Sequence, residues 1–265
     1  MNPLNAIRKA TLLAATIALA SCVSSPTGRQ QVLLFSSQDM SQLGARSFEE
    51  IKQQETINQE PATNRYVQCV TNSITAKLDS SLPGQWEVVV FDSEQVNAFA
   101  LPGGKIGVYT GLLNVAKNQD QLATVIGHEI GHVLAQHSNE RLSRSQLANV
   151  GLQLSSVAFS GTEYHDLAMA GLGLGVQYGV LMPYGRAQES ESDIIGLHLM
   201  AKAGFNPNES ISLWQNMAAA SGRGQPPELL STHPSHASRI ADLKAEINKL
   251  PSFNAPRPNC ERPAS

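Results

Sequence analysis

Apolar residues recur along this chain first at helical spacing, then at strand spacing, then at helical spacing again. Ser36-Ser37-Gln38-Asp39 has the S-x-x-D spacing of a capping box, and the pattern behind it predicts a helix to about Ile57. Pro61 breaks that helix. Tyr66, Val67, Val70, Ile74 and Leu78 mark a second one, closed by the turn residues Ser80-Ser81-Leu82-Pro83-Gly84. Residues 86–91 are β-branched and aromatic, hence a strand, and residues 96–100 and 105–109 flank Pro102-Gly103-Gly104 as a hairpin. Residues 110–115 start a short helix. Asn118 is placed to cap the next one, with Gln121 at the capping-box position and Leu122, Val125, Ile126, Val133 and Leu134 as its buried stripe. Residues 148–182 are rich in Gly, Ala and Leu. Their most apolar part, 167–182, contains Gln177 and falls short of the ~20 residues a membrane span needs, so two loosely packed helices are expected there. Residues 189–203, 209–220 and 237–250 read as helices, ahead of a Pro-rich tail.

The helix after Asn118 carries His128-Glu129-Ile130-Gly131-His132, an H-E-x-x-H pattern. Residues four apart on a helix lie one above the other. His128 and His132 can therefore offer two imidazole nitrogens to one metal ion, with Glu129 one step round to act on a bound water. A catalytic zinc site takes three protein ligands and leaves a fourth position open. A metzincin-type third ligand requires Gly at 135 and His at 138, where this chain has Ala135 and Ser138. His137 lies about 140° round the helix from His132 and cannot share the metal, so it reads as a surface or packing histidine. Downstream, a second helix sets Glu189 and Asp193 four apart on one face, with Glu191 on roughly the opposite side. An acidic run of this kind also occurs as a solvated helix face.

Length and charge narrow the setting. The 265 residues suffice for one sizeable core. Net charge is −3 with no basic run or basic-aromatic stripe, which argues against a nucleic-acid partner. Arg8 and Lys9 precede a short apolar run over residues 11–20, the plan of a secretory signal. That run ends Leu19-Ala20-Ser21-Cys22, which resembles the bacterial lipobox. By that resemblance residues 1–21 are removed and Cys22 is lipidated, which tethers the chain to a membrane without a transmembrane helix. Val23 in place of Asp suggests, by likeness to sorted lipoproteins, the outer membrane. An ordinary cleaved signal with a chance cysteine is the alternative. Cys69 and Cys260 remain, and in an exported chain they allow one disulfide; two free thiols are the other option.

Taken together, these residues resemble a known family, the HtpX/BepA/LoiP-type zinc metallopeptidases, relatives of the CaaX prenyl proteases. Besides the H-E-x-x-H pattern, the resemblance rests on Asn97-Ala98-Phe99-Ala100 with Pro102-Gly103-Gly104, and on Tyr109-Thr110-Gly111-Leu112. It continues through Glu189-Ser190-Glu191-Ser192-Asp193-x-x-Gly196, Ala203-Gly204-Phe205-Asn206-Pro207, and Thr232-His233-Pro234 followed by Arg239. Ser192 departs from the Ala common in the family, but both are small. The resemblance implies an α+β, predominantly helical zincin-like metallopeptidase domain over residues 36–250, with a small β-sheet or hairpin beside the H-E-x-x-H helix. A signal (1–21) and a lipidated cysteine with its tether (22–35) would precede it, and the Pro-rich tail (251–265) would follow. It further implies Glu189 as the third ligand, beside His128 and His132, of one Zn2+ per chain, and Asp193 as the carboxylate that takes the free N–H of a ligating imidazole. Arg239 would order acidic groups or the oxyanion. His233 would be either an electrophile at the oxyanion, worth about 2.7–4 kcal/mol in the barrier, or a fourth ligand that displaces the water and shuts the site.

The reaction expected is zinc-dependent peptide-bond hydrolysis. Glu129 would take a proton from water and pass it to the leaving amine, while an extended substrate pairs along Asn97, Ala98, Phe99 and Ala100. Main-chain pairing suits unfolded segments. The expected substrates are therefore misfolded or stalled cell-envelope proteins, met by an outer-membrane lipoprotein that faces the periplasm and works beside the outer-membrane assembly machinery. The rival reading is a chaperone-like or assembly-factor lipoprotein whose zinc-closed site does little proteolysis.

Overall fold

A computed structural model describes residues 22–79, 85–159, 182–221, 229–230, 233 and 239–263. The expected leader at 1–21, the turn at 80–84, residues 160–181 of the Gly-rich stretch, and Thr232 and Pro234 beside His233 lie outside these. The described residues fall into two compact units, one within residues 1–36 and 136–183, the other within residues 37–135 and 184–265.

In the first unit, the stretch expected as a tether carries an antiparallel hairpin instead, β1 (Cys22–Ser24) on β2 (Gln30–Val32). Its turn is closed by Ser25, whose hydroxyl accepts the Arg29 N–H, and by Gly28 at φ 87. Helix α5 (His137–Phe159) anchors the hairpin. Arg29 forks onto the buried Glu140 carboxylate at 2.6 and 2.7 Å, and the Leu34 N–H donates to Ser143. A short polar run with Pro and Gly does not announce such pairing, because the partners lie over a hundred residues away.

The second unit holds α1 (Ser37–Gln54), α2 (Pro61–Thr75), β3 (Glu87–Phe91), β4 (Ala98–Leu101), β5 (Lys105–Tyr109), α3 (Thr110–Val115), α4 (Gln119–Leu134), α6 (Met182–Lys202), α7 (Glu209–Ser221) and α8 (Arg239–Ile247). Helix α1 stops short of Ile57, which instead bridges to Phe91. Pro61 breaks one helix and opens the next: it sits at the N-terminus of α2, where its missing N–H costs nothing, and Glu60 caps the N–H groups of Ala62 and Thr63. The three strands run in the order β3-β5-β4, with β5 parallel to β3 and antiparallel to β4. Gly103 and Gly104, at φ 86 and 77, make the β4–β5 turn. Strand β4 is thus an edge.

The core gathers Tyr66, Val70 and Ile74 of α2, Ile106 and Val108 of β5, Leu122, Ile126 and Ile130 of α4, and Leu213 and Met217 of α7. Helix α4 is buried on every side over residues 120–132. Its start is fixed by Asn118, whose side chain accepts the N–H groups of Asp120 and Gln121, while Gln121 accepts the Lys117 N–H. Residues 251–263 of the C-terminal tail have no regular structure, yet they strap this helix start. Cys260 is disulfide-bonded to Cys69 (Cα–Cα 5.6 Å), Arg257 pairs with the buried Asp120, and Arg262 donates to the carbonyls of Lys117 and Leu113. Among the described residues, no helix is long and apolar enough to cross a membrane.

Candidate metal centre

Two helices build the centre. His128, Glu129 and His132 come from α4, and Glu189 and Asp193 from α6. The helices touch backbone to backbone. A Cβ on Gly196 would lie 2.6 Å from the His128 nitrogen, one on Gly127 would lie 2.9 Å from the Gly196 carbonyl, and one on Gly131 would lie 2.9 Å from the Ser192 carbonyl. Glycine at 127, 131 and 196 is what lets the Glu189 carboxylate reach both histidines.

The reach is short. His128 Nε2 lies 3.0 Å from His132 Nε2 and 3.2 Å from Glu189 Oε2, and His132 Nε2 lies 3.3 Å from Glu189 Oε1. His233 turns its Nδ1 into the same space, 3.0 Å from Glu189 Oε1 and 3.3 Å from His128 Nε2. The four side chains are buried, and their donor atoms all lie within 4.8 Å of one another. Ligands about 2.0–2.1 Å from one tetrahedral ion stand roughly 3.3 Å apart, so the spacing fits a divalent metal. His137 and Glu191 are both buried and stand outside the group.

A second layer fixes the first. His128 Nδ1 is 2.9 Å from Asp193 Oδ1, which leaves Nε2 free to face the group. Arg239 forks onto Asp193, Nε to Oδ2 at 2.6 Å and Nη2 to Oδ1 at 2.7 Å, and its Nη1 is 3.5 Å from both Glu189 Oε2 and the His233 carbonyl. Its guanidinium lies 3.6 Å from the ring centre of Trp214, which stands T-shaped to the His128 ring with centroids 6.5 Å apart. Sequence reasoning missed Trp214: in Ser-Leu-Trp-Gln on an apolar helix it reads as ordinary core.

The electrostatics follow from burial and these partners. Burial pulls the His128 imidazole down, but hydrogen bonds to Asp193 and Glu189 more than reverse this and carry it up to about 9. Burial keeps His132 well below the ordinary histidine value. Burial alone would raise the Glu189 carboxyl; hydrogen bonds from three imidazoles hold it far below the usual carboxylate range. Asp193 is likewise lowered against burial by Arg239 and His128.

Glu129 stands between His233 and β4. The Ala100 N–H donates to its Oε2 at 3.2 Å; its Oε1 is buried, 3.4 Å from His233 Nε2 but not in hydrogen-bond geometry, and has no other partner among the described residues. The Tyr109 N–H bonds the Asn97 carbonyl, so the antiparallel alternation points the main-chain groups of Ala98 and Ala100 to the free edge. The Ala98 N–H is met by the Asn97 side chain at 2.9 Å. Phe99 packs back onto Phe48, Phe91 and Tyr109. Leu229 donates its N–H to the Val96 carbonyl, and the His233 N–H bonds the Leu229 carbonyl, so His233 is tied through Leu229 to the chain just ahead of this strand.

Residues 61–247 match the family model described as peptidase family M48. The chain is similar to the mitochondrial metalloendopeptidase OMA1 of Schizosaccharomyces pombe, 39% identical over 163 residues, 60% of this chain and 46% of that protein. It is similar to the OMA1 metalloendopeptidase of Danio rerio, 34% identical over 250 residues, 88% of this chain and 52% of that one. The beta-barrel assembly-enhancing protease of Escherichia coli is 27% identical over 219 residues, 79% of this chain and 44% of the relative. The chain therefore spans about half the length of the relatives it matches.

Proposed function

We propose, from the premise that this chain belongs to peptidase family M48, that it is a zinc-dependent endopeptidase acting on unfolded segments of exported proteins. The observation that carries the reading is the convergence of His128, His132 and Glu189 on one point, with the Glu129 carboxylate buried beside it. Two imidazoles and a carboxylate are a donor set suited to zinc. Zinc held there supplies a Lewis acid for the scissile carbonyl and eases the deprotonation of water.

The chain's own residues do the rest. Glu129 takes the proton of the attacking water and returns it to the leaving amine. Its Oε1, which accepts no hydrogen bond among the described residues, is the atom placed to do so. Ala98 and Ala100 offer main-chain donors and acceptors to an extended substrate, which displaces the side-chain acceptors that meet their N–H groups. Asp193 keeps His128 in the tautomer with Nε2 free, and Arg239 neutralises Asp193. Lipidation of Cys22, export and action on misfolded envelope proteins, beside the outer-membrane assembly machinery, belong to this proposal. They are supported by the lipobox-like residues 19–22 and by the similarity to a beta-barrel assembly-enhancing protease.

Purified protein loaded with zinc should cleave a permanently unfolded substrate such as reduced, carboxymethylated protein. Glu129→Gln should lower the rate about 10²–10⁴-fold while zinc content stays at one per chain. A variant with full activity sinks the proposed mechanism. The inward turn of His233 Nδ1 favours a second reading, a closed and little-active resting state. Faster cleavage by His233→Ala supports that latch, and lost cleavage with zinc retained supports an electrophile.

A further inference from the structure

We propose that Trp214 is a positioning residue of the metal centre, acting on His128 through the relay Trp214–Arg239–Asp193; the proposal rests on the metal-binding reading above. Arg239 is 2% exposed, so water does not solvate its charge. Its edge is used up on Asp193 and on His128, whose Nδ1 lies 3.2 Å from Nη2, with weaker contacts to Glu189 and the His233 carbonyl. One face of the guanidinium is left, and the Trp214 ring covers it at 3.6 Å. A desolvated cation over an indole face is held electrostatically as well as by packing. The Trp214 Nε1–H is buried without a partner among the described residues, so a hydrogen bond from the ring edge does not hold the side chain in place. The ring face is its functional surface.

The relay needs a fixed base, and α7 supplies one. Leu213 and Met217 on either side of Trp214 are fully buried. Glu209 accepts from Asn118 and Gln121, and Asn216 donates to Gln121, so α7 is braced on the N-terminal turn of the helix that carries His128. Trp214 is thus fixed relative to that helix. It sets the plane of the guanidinium, the fork sets the plane of the Asp193 carboxylate, and Asp193 Oδ1 sets the imidazole of His128. A side chain that merely fills the volume leaves the guanidinium free to tilt, and the tilt reaches His128 through Asp193 and through the contact of Nη2 with His128 Nδ1.

Zinc affinity of the metal-free full chain is measured by competition with a chromophoric chelator, with thermal melting of the same samples. Trp214→Leu should lose about 10–100-fold in zinc affinity, the range found when groups supporting metal ligands are changed. Trp214→Phe, which keeps an aromatic face, should stay within about threefold of the parent. In an Arg239→Lys background, which abolishes the planar stack and the fork, Trp214→Leu should cost less than about threefold more. Equal losses in the Phe and Leu variants, unchanged affinity in the Leu variant, or additive losses in the double variant overturn the proposal. A Trp86→Phe variant makes Trp214 the sole tryptophan and provides a readout that needs no substitution at 214. Its emission should change with the midpoint of zinc binding, and emission that ignores zinc counts against the relay. If the parent binds no zinc, the metal-centre reading itself fails; if the parent and all Trp214 variants bind alike, only the relay does.

Discussion

Replacing Gly196 with Ala tests whether the backbone contact between α4 and α6 sets the metal centre. The added methyl would lie 2.6 Å from the His128 nitrogen and 2.7 Å from the Gly127 carbonyl carbon. Both are main-chain atoms inside a buried helix, so no rotamer change relieves the clash. Reaching ordinary contact requires the helices to part by about 0.8 Å. Overpacking of this kind costs about 1–3 kcal/mol, against which Ala recovers about 0.5–1 kcal/mol in helix propensity. A net loss of about 1–2 kcal/mol lowers the melting temperature by roughly 2–8 °C in a protein of this size. The effect on the site is larger. Glu189 rides on α6 and His128 and His132 on α4, while metal–ligand distances tolerate about ±0.2 Å. Zinc affinity should fall at least about 10-fold, in the range of changes to a ligand's supporting groups. Gly185 lies on the same helix with nothing within 4 Å of its would-be Cβ, which makes Gly185→Ala the control. It should hold zinc as the parent does and melt no lower. Chelator competition and calorimetry on both variants decide the matter. A Gly196→Ala protein that binds zinc with parental affinity refutes the idea that this contact positions Glu189.

Two further outcomes follow from the electrostatics and the strap. The His128 imidazole, raised to about 9 in the metal-free protein, carries a proton at pH 7 that zinc must displace. Calorimetric titration in buffers of different ionisation enthalpy should show about one proton released per zinc, with affinity falling roughly tenfold per pH unit below 9. The sign reverses for the empty protein. A raised folded pKa adds stability that is fully present below the unfolded value near 6.5 and is lost as pH rises through about 9. A pH-independent zinc affinity would discount the pairing with Asp193 and Glu189. The Cys69–Cys260 bond closes a separation of 191 residues, for which the chain-entropy model gives about 5 kcal/mol. Cys69→Ser with Cys260→Ser should lower the urea midpoint by an equivalent of about 2–5 kcal/mol and loosen the tail over the start of α4, and an unchanged midpoint would show that the tail holds without it.

What the sequence reveals and what it hides divide along a physical line. Features set by residues a few positions apart are legible. The four-residue spacing of His128 and His132, the Asn118 cap and the Pro102-Gly103-Gly104 turn each depend on local geometry, and each lies where its pattern puts it. Features set by distant packing are not. Nothing local distinguishes β3 running parallel to β5 from the other pairings, and nothing in residues 23–30 signals that Arg29 will fork onto Glu140. Glu189 is an intermediate case. Its spacing to Asp193 shows which face it shares, but only the crossing of α6 over α4 shows that this face meets His128. Gly196 stands in the sequence as the last fixed residue of an acidic motif, and its reason, a methyl's clash with the His128 nitrogen, exists only once the helices touch. Trp214 and His233 go furthest. The role of the first depends on a guanidinium from α8, and the two options for the second, electrophile or fourth ligand, both depend on groups that α4 and α6 bring to it. The fold places Nδ1 among the donors and Nε2 3.4 Å from Glu129, so one side chain touches both the donor group and the carboxylate proposed as the base. If His233 is the fourth ligand proposed above, opening that position for water displaces its ring, whose backbone N–H is tied through Leu229 to Val96, just ahead of the strand where substrate would pair.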